Sequence, residues 1–358
     1  MRILDSFRDK DLILQLAHKI KETVKNQINL MEVCGGHTNA IHKYGIPSLL
    51  PEKLNLLSGP GCPVCVTDIS FIDRAIALSK QDDVIISTFG DLIRVPGSTS
   101  TLQNEKAKGA QIKIVYSPLE AVNLATNNPG KKVVFLAIGF ETTAPTTACA
   151  IINACTENLQ NFSVLCSHKV MPPALSALID EGVQIDGYIC PGHVTTITGT
   201  GIYDEIVTKY KRACVVSGFE PLDILRSIYM LTEQIEKQSP GIEIEYKRIV
   251  HKEGNPRALE IMADVFEPVD SWWRGLGLLA QSGLGIKQKY EQYDTEKTIP
   301  VKVEKSKEIK GCICGEILKG LKKPIDCPLF RKSCTPVNPV GACMVSHEGA
   351  CQAFYKYH

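Results

Sequence analysis

Eight short β-branched runs, separated by stretches of helical character, set the tightest limit on what this chain can fold into. They are Ile28–Val33, Leu54–Leu57, Val84–Thr88, Ile112–Tyr116, Val133–Ile138, Val164–Ser167, Gly187–Cys190 and Ala213–Ser217. Strand and helix alternating at this spacing build parallel sheets from βαβ units, because a parallel neighbour is reached only through a crossover. The turn-rich Asn127-Asn128-Pro129-Gly130 divides the runs four and four, which predicts two similar Rossmann-like α/β domains, residues 30–128 and 129–240. Cys34-Gly35-Gly36-His37 follows a run of the first half and Cys190-Pro191-Gly192-His193 a run of the second, a weak internal similarity that points to duplication.

Beyond Pro240-Gly241 the alternation stops. One strand is expected at Ile242–Ile249, a helix from Asn255-Pro256-Arg257, and a charged, solvated connector from Lys287 to Lys310. Residues 241–358 therefore read as a third, mostly helical and loop domain, with residues 1–29 as an amphipathic helix packing on it. A length of 358 residues agrees with two or three domains. Net charge is +1, which gives no field to draw nucleic acid or anionic lipid. Asp5, Arg8, Asp9, Lys10 and Asp11 occupy the place of a signal peptide's apolar core, and no run of 18 apolar residues follows. A cytoplasmic protein with no nucleic-acid or membrane partner is the expectation.

The cysteines are the anomaly. A reducing compartment does not favour a disulfide framework, so 14 of them imply metal binding or redox chemistry. Six crowd the end of the chain: Cys312, Cys314, Cys327, Cys334, Cys343 and Cys351. A loop-rich segment with little periodicity suits an Fe–S cluster held by four thiolates. Zinc is the rival, but the gaps from Cys314 onward give none of the close pairs that structural zinc sites use. Two thiols are left over for redox work.

Further candidates lie at predicted strand ends. Gly59-Pro60-Gly61-Cys62-Pro63-Val64-Cys65 is a C-x-x-C in a Gly/Pro turn, able to cycle between dithiol and disulfide if a helix beginning near Asp68 lowers its thiol pKa, or else half of a zinc site. Cys34 is followed by two glycines that admit a ligand, with His37 placed to act as base; the pair suits a nucleophilic thiol or an iron ligand, against a buried core thiol. Gly139-Phe140-Glu141-Thr142-Thr143-Ala144-Pro145 can offer amides and hydroxyls to an anion or simply cap a helix. His193 and the pair His168-Lys169 are equally consistent with structural roles. No phosphate-binding loop occurs. Cys149, Cys155, Cys166 and Cys214 read as core, and Trp272-Trp273 as packing at a domain junction.

In series, Cys34-Gly-Gly-His-Thr, Gly-Pro-Gly-Cys62-Pro-Val-Cys65, Gly139-Phe-Glu-Thr-Thr-Ala-Pro, Pro191-Gly-His-Val, Trp273-Arg-Gly-Leu-Gly and Cys334-Thr-Pro…Met344-Val-Ser-His-Glu-Gly-Ala-Cys351 resemble the HypD family of hydrogenase maturation factors along nearly the whole chain. The resemblance implies two similar α/β domains and a third carrying a [4Fe–4S] cluster. It further implies assembly of the Fe(CN)2(CO) unit of [NiFe] hydrogenases by a monomer that joins a complex with the chaperone HypC and the cyanide donor HypE. On the same ground the cluster ligands would be Cys312, Cys327, Cys334 and Cys351, in a C-x14-C-x6-C-x16-C pattern. Cys314 with Cys343, and Cys62 with Cys65, would be redox pairs resembling the relay of ferredoxin–thioredoxin reductase. Cys34 would hold the iron jointly with a HypC thiolate, assisted by His37. Asn39 stands where the family's motif usually has a second His, which removes a metal or proton role at that position.

Overall fold

The computed structural model describes residues 3–303, 305–307 and 309–358. Strands β1 (Ile28–Glu32), β2 (Leu54–Ser58), β3 (Val84–Thr88), β4 (Ile112–Ile114), β5 (Lys132–Gly139) and β6 (Phe162–His168) precede β7 (Gly187–Pro191), β8 (Ala213–Ser217) and β9 (Ile242–Ile244). All eight expected runs are strands, and the architecture is α/β. β2-β1-β7-β8-β9 form one parallel sheet and β4-β3-β5-β6 a second. A third sheet is the antiparallel hairpin β10 (Phe266–Trp273) and β11 (Gly277–Ile286).

The sheets do not divide at residue 128. The chain leaves the five-stranded sheet after β2, builds the whole four-stranded sheet, and returns at β7, so the turn at 127–130 lies within the second sheet's β4–β5 connection. β1 is buried on both faces and takes β2 on one side and β7 on the other. A strand with two apolar faces needs two neighbours, and the second comes from a distant stretch of sequence. Gly139-Phe140-Glu141 and Pro191-Gly192-His193, expected together in one domain, consequently lie at the ends of different sheets.

Three apolar clusters hold these layers. One face of the five-stranded sheet packs Leu30, Ile189 and Val215 against Ile224, Leu225, Ile228 and Leu231 of the helix Pro221–Glu236. The helix Lys10–Thr23 joins that cluster through Ile20, and Arg8 adds Nε and Nη2 hydrogen bonds of 2.6 and 2.9 Å to Glu220. The N-terminal helix thus packs on the five-stranded sheet's helix rather than on the cysteine-rich segment, because its apolar stripe meets a matching stripe there. A second cluster sets Phe135, Ala137 and Val164 against the helices Ala144–Thr156 and Pro256–Val265. The largest runs from Met31 and Tyr188 through Val134 and Leu136 to Cys314, Cys343 and Cys351. The cysteine-rich segment therefore shares the main core instead of standing apart.

Other expectations are revised. The strand at 242 ends at Ile244, and the hairpin gives the last third of the chain more sheet than its sequence announced. Part of the expected connector is packed: Tyr290, Tyr293 and Thr295 are buried, and the Thr295 hydroxyl donates to Ser163 Oγ at 2.9 Å. Residues 304 and 308 of that stretch lie outside the described residues. Trp273 is buried, its Nε1 donating to Ser282 Oγ at 2.8 Å, whereas Trp272 is 57% exposed. Among the described residues no helix is long and apolar enough to cross a membrane.

Truncating a fully buried Ile leaves a cavity the helix interface cannot close, so Ile20→Ala is expected to cost about 2–4 kcal/mol in urea unfolding. An unchanged midpoint would show that the N-terminal helix does not pack as described.

Candidate functional site

β1 and β7 are parallel neighbours, with Glu32 opposite Ile189, so the chain leaves both at the same sheet edge, where α/β folds gather ligand sites. Cys34 then caps the helix Gly35–Lys43, and His193 sits in the first turn of the helix Gly192–Thr198. Cys34 Sγ is 3.9 Å from both ring nitrogens of His193. The two segments read as a duplication are thus two walls of one site.

The base expected at His37 is placed elsewhere. Its Nε2 lies 2.9 Å from the Gly218 carbonyl, to which it donates, and its ring stacks on Phe219 at 4.6 Å. Only the His37 backbone amide, with that of Gly36, faces the Cys34 sulfur. Burial pushes His37 down to about 3 and His193 down to about 4, so both imidazoles are neutral near pH 7. Burial, reinforced by Glu348 and Glu32, pushes the Cys34 thiol far above its ordinary range. Beneath it, Glu32 accepts from Thr38 Oγ1 at 2.6 Å and from the Cys34 amide at 3.1 Å, and burial raises its carboxyl to about 8.

Close backbone approach fixes this floor. A Cβ on Gly61 would stand 2.1 Å from the Cys34 nitrogen, and one on Gly35 would stand 2.5 Å from Glu348 Cβ. Gly61 lets the C-x-x-C turn lie against Cys34, and Gly35 admits the C-terminal segment of the same chain. That segment is pinned by Arg94, whose guanidinium donates to the carbonyls of Pro336 and Val345, and by Asn39, whose Nδ2 donates to the His347 carbonyl at 2.8 Å. Asn39 therefore ties the helix to the tail. Glu348, Glu32 and Gly61 are site residues that motif reasoning did not single out. Glu348 lay inside a quoted motif, but nothing local in sequence shows that it folds back onto Cys34.

The remaining thiols form a connected line. Cys62 Sγ accepts from the Cys65 amide at 3.3 Å. The Cys65 thiol faces Cys343, and Cys343 in turn faces Cys314. Cys314 Sγ lies 3.2 Å from Cys312 Sγ and also contacts Cys351. Cys312, Cys314, Cys327, Cys334 and Cys351 line one small pocket, completed by Ile317, Leu329, Phe330 and Met344. The four expected ligands share that pocket and Cys343 stands outside it, but Cys314, expected to be spare, borders it too. Among the described residues no three His, Cys, Asp or Glu side chains meet at the spacing of a single ion. Burial holds Cys65 well above the usual thiol range, and the helix from Ile69 is capped by Asp68 itself, whose Oδ1 accepts from Ser70. At Cys65 the expected lowering is therefore not found. The hydrogen bonds from Cys314 and Cys65 instead draw Cys343 down to about 6.

Glu141 is buried, with Oε1 accepting from the Met171 amide at 2.8 Å and Oε2 unpartnered. Thr142 is half-buried at the same turn. His168 is held by Thr147 Oγ1 at 2.9 Å, and Lys169 Nζ donates to Ser271 Oγ and the Trp272 carbonyl. Of the thiols read as core, Cys214 is buried, Cys149 and Cys166 are half-buried, and Cys155 is exposed.

Two outcomes follow from this geometry. Gly61→Ala should misplace Cys34 or prevent folding, because the new methyl overlaps backbone; a protein with wild-type melting and thiol reactivity would contradict the close approach. Burial raises the Glu141 carboxyl from 4.5 to about 7, so the native state holds a proton that the unfolded chain has released. Glu141's contribution to stability should be full below about pH 4.5 and be lost as pH rises through 7, and Glu141→Gln should make the fall measured by denaturation from pH 5 to 8 shallower, leaving the share of Glu32 and Glu245, which burial raises likewise.

Residues 11–358 match the hydrogenase formation hypA family, HypD. The chain is 44% identical to hydrogenase maturation factor HypD2 of Bradyrhizobium diazoefficiens, over all of this chain and 97% of that protein. A putative hydrogenase expression/formation protein of Methanocaldococcus jannaschii is 45% identical over 98% of this chain and 99% of its own length. Hydrogenase maturation factor HypD of Escherichia coli is 42% identical over all of this chain and 98% of its own.

Proposed function

This chain belongs to the HypD family of hydrogenase maturation factors, and on that premise we propose that it is the scaffold on which the Fe(CN)2(CO) unit of [NiFe] hydrogenases is assembled. The iron is the cargo. Cys34 holds it together with a thiolate brought by HypC, and HypE supplies cyanide as a thiocyanate. His193, neutral and 3.9 Å from the sulfur, is the group that takes the thiol proton. Metal binding drives that loss, since iron binds the thiolate and its charge offsets the burial that keeps Cys34 protonated.

One observation carries the reading: the thiols run without a break from Cys62 and Cys65, beside Cys34, through Cys343 and Cys314 to the thiol-lined pocket. Releasing cyanide from a thiocyanate takes two electrons. Oxidation of Cys62 and Cys65 to a disulfide yields two electrons and two protons; one proton leaves the carrier as a thiol, and the other goes to solvent as cyanide binds iron as the anion. The donor set of the pocket fits a [4Fe–4S] cluster, because soft thiolates ring an apolar space instead of meeting at one point. Cys312, Cys327, Cys334 and Cys351 would hold it, and when bound it supplies single electrons to the adjacent thiols. A free-standing thiol–disulfide oxidoreductase acting on proteins is the weaker reading, since Cys62 and Cys65 are both buried.

Anaerobically purified Cys334→Ala protein is expected to lose iron and acid-labile sulfide. Cys34→Ala protein should keep both, and dock HypC, yet lack the infrared bands of iron-bound CN and CO. Those bands at wild-type intensity in Cys34→Ala would sink the assignment of Cys34, and full iron in Cys334→Ala that of the ligand set.

A further inference from the structure

Two histidines outside the thiol line face each other although 316 residues separate them: His42 Nδ1 lies 3.0 Å from His358 Nε2. His42 is in the last turn of the helix Gly35–Lys43, which Cys34 caps, and His358 follows the C-terminal helix Ala350–Tyr357, which carries Cys351. Phe354 touches both rings, stacking on His358 at 4.3 Å and meeting His42 edge-on at 5.5 Å. The His358 amide donates to the Phe354 carbonyl at 3.2 Å, which fixes the backbone from which the second ring projects.

The contact has the bite of a chelate. Two imidazole nitrogens bound to one ion at about 2.1 Å each stand about 3.0–3.4 Å apart in octahedral or tetrahedral geometry. Burial and the neighbouring imidazole draw His42 down to about 4, so its ring is neutral near pH 7. Both rings open on a cleft of about 510 Å³ beside β2, the edge strand of its sheet.

The lining discriminates among ions. Hard cations such as Mg2+ and Ca2+ need oxygen donors, and the two carboxyls of the cleft are engaged. Glu32 is buried and accepts from Thr38 Oγ1, while Asp326 Oδ2 accepts from the Lys323 amide at 2.8 Å. Lys322 and Lys323 add exposed ammonium groups, a repulsion that a coordinate bond overcomes and loose electrostatic attraction does not. Neutral imidazole suits first-row ions such as Co2+, Ni2+ and Zn2+.

We propose that His42 and His358 form a site for a divalent transition-metal ion, which clamps the C-terminal helix onto the helix capped by Cys34. Among the described residues no third His, Cys, Asp or Glu completes the pair, so water from the cleft fills the remaining positions and the ion exchanges readily. On binding, the proton between the two nitrogens moves to the other nitrogen of its own ring, and none is lost. One clamped helix carries Cys351 and the other begins beside Cys34, so the ion stiffens the join between the cysteine pocket and the Cys34 site from outside both. No thiol takes part, and the site stands independently of the assembly role.

The test titrates full-length protein with Co2+ under anaerobic conditions. Two imidazole N–H protons should appear as hyperfine-shifted resonances that vanish in D2O, and the melting midpoint should rise by several degrees at saturating metal. His42→Phe, which keeps an aromatic ring against Phe354, should lose both resonances and most of the rise, and His358→Gln should do the same. Comparing each variant with and without metal separates binding from any stability the substitution itself removes. Co2+ held by thiols shows sulfur-to-cobalt charge transfer in the near ultraviolet, which both variants should leave unchanged. Mg2+ should raise the midpoint of no form. Imidazole resonances that survive both substitutions, or a Co2+-dependent rise equal in wild type and variants, overturn the site.

Discussion

The contact between the backbone of Gly61 and that of Cys34 is the constraint on which the site depends. With a Cβ excluded at 2.1 Å, the chain leaving β2 can cross the end of β1, where the Gly35 amide donates to the Gly61 carbonyl at 3.2 Å and the Gly59 amide to Glu32 at 2.8 Å. Those bonds satisfy buried backbone that would otherwise be costly to enclose. They also bring the C-x-x-C turn against Cys34, and all three cysteines are buried.

Dryness then sets the chemistry. Cys34 and Cys65 are held protonated by burial, and His37 and His193 are held neutral by it. A floor of neutral thiols and imidazoles costs far less to bury than the corresponding ions. It becomes charged only when something compensating arrives. In the proposed function that compensation is iron, which makes proton release and metal capture one event.

The strands were legible because a parallel strand buried on both faces writes an unbroken apolar run into the sequence. Their partners were not. Nothing in Ile28–Val33 says that its second neighbour lies more than 150 residues away at Gly187, so a division at 128 followed sequence order where the fold follows burial. The same nonlocal pairing decided between His37 and His193: spacing put His37 near Cys34, but a helical turn carried its ring to Gly218. The hairpin was hidden by Pro268 and by the glycines at 277, 283 and 285, which weaken a strand signal. Tyr290 and Tyr293 were masked by the charged residues around them. The tail cysteines were conspicuous as a set, whereas Cys314 reaching toward both the pocket and Cys343 is a fact of packing alone.

The tail that carries the cysteine pocket is also the lid of the Cys34 site. Arg94 and Asn39 hold it by its carbonyls at Pro336, Val345 and His347, Gly349 lets it turn against Cys343, and Glu348 arrives beside Gly35. Its short helices and turns bury Ile317, Leu318, Phe330, Met344 and Val345 in the main core rather than in a core of their own, so its order depends on what it is tied to. On the proposed reading it is tied at both ends, to metal in the pocket and to the edge of β1. Loss of the metal would then reach Cys34 directly, by releasing Glu348 from its side and Cys343 from between Cys65 and Cys314. The iron site and its electron supply would fail together, because one segment of chain completes both.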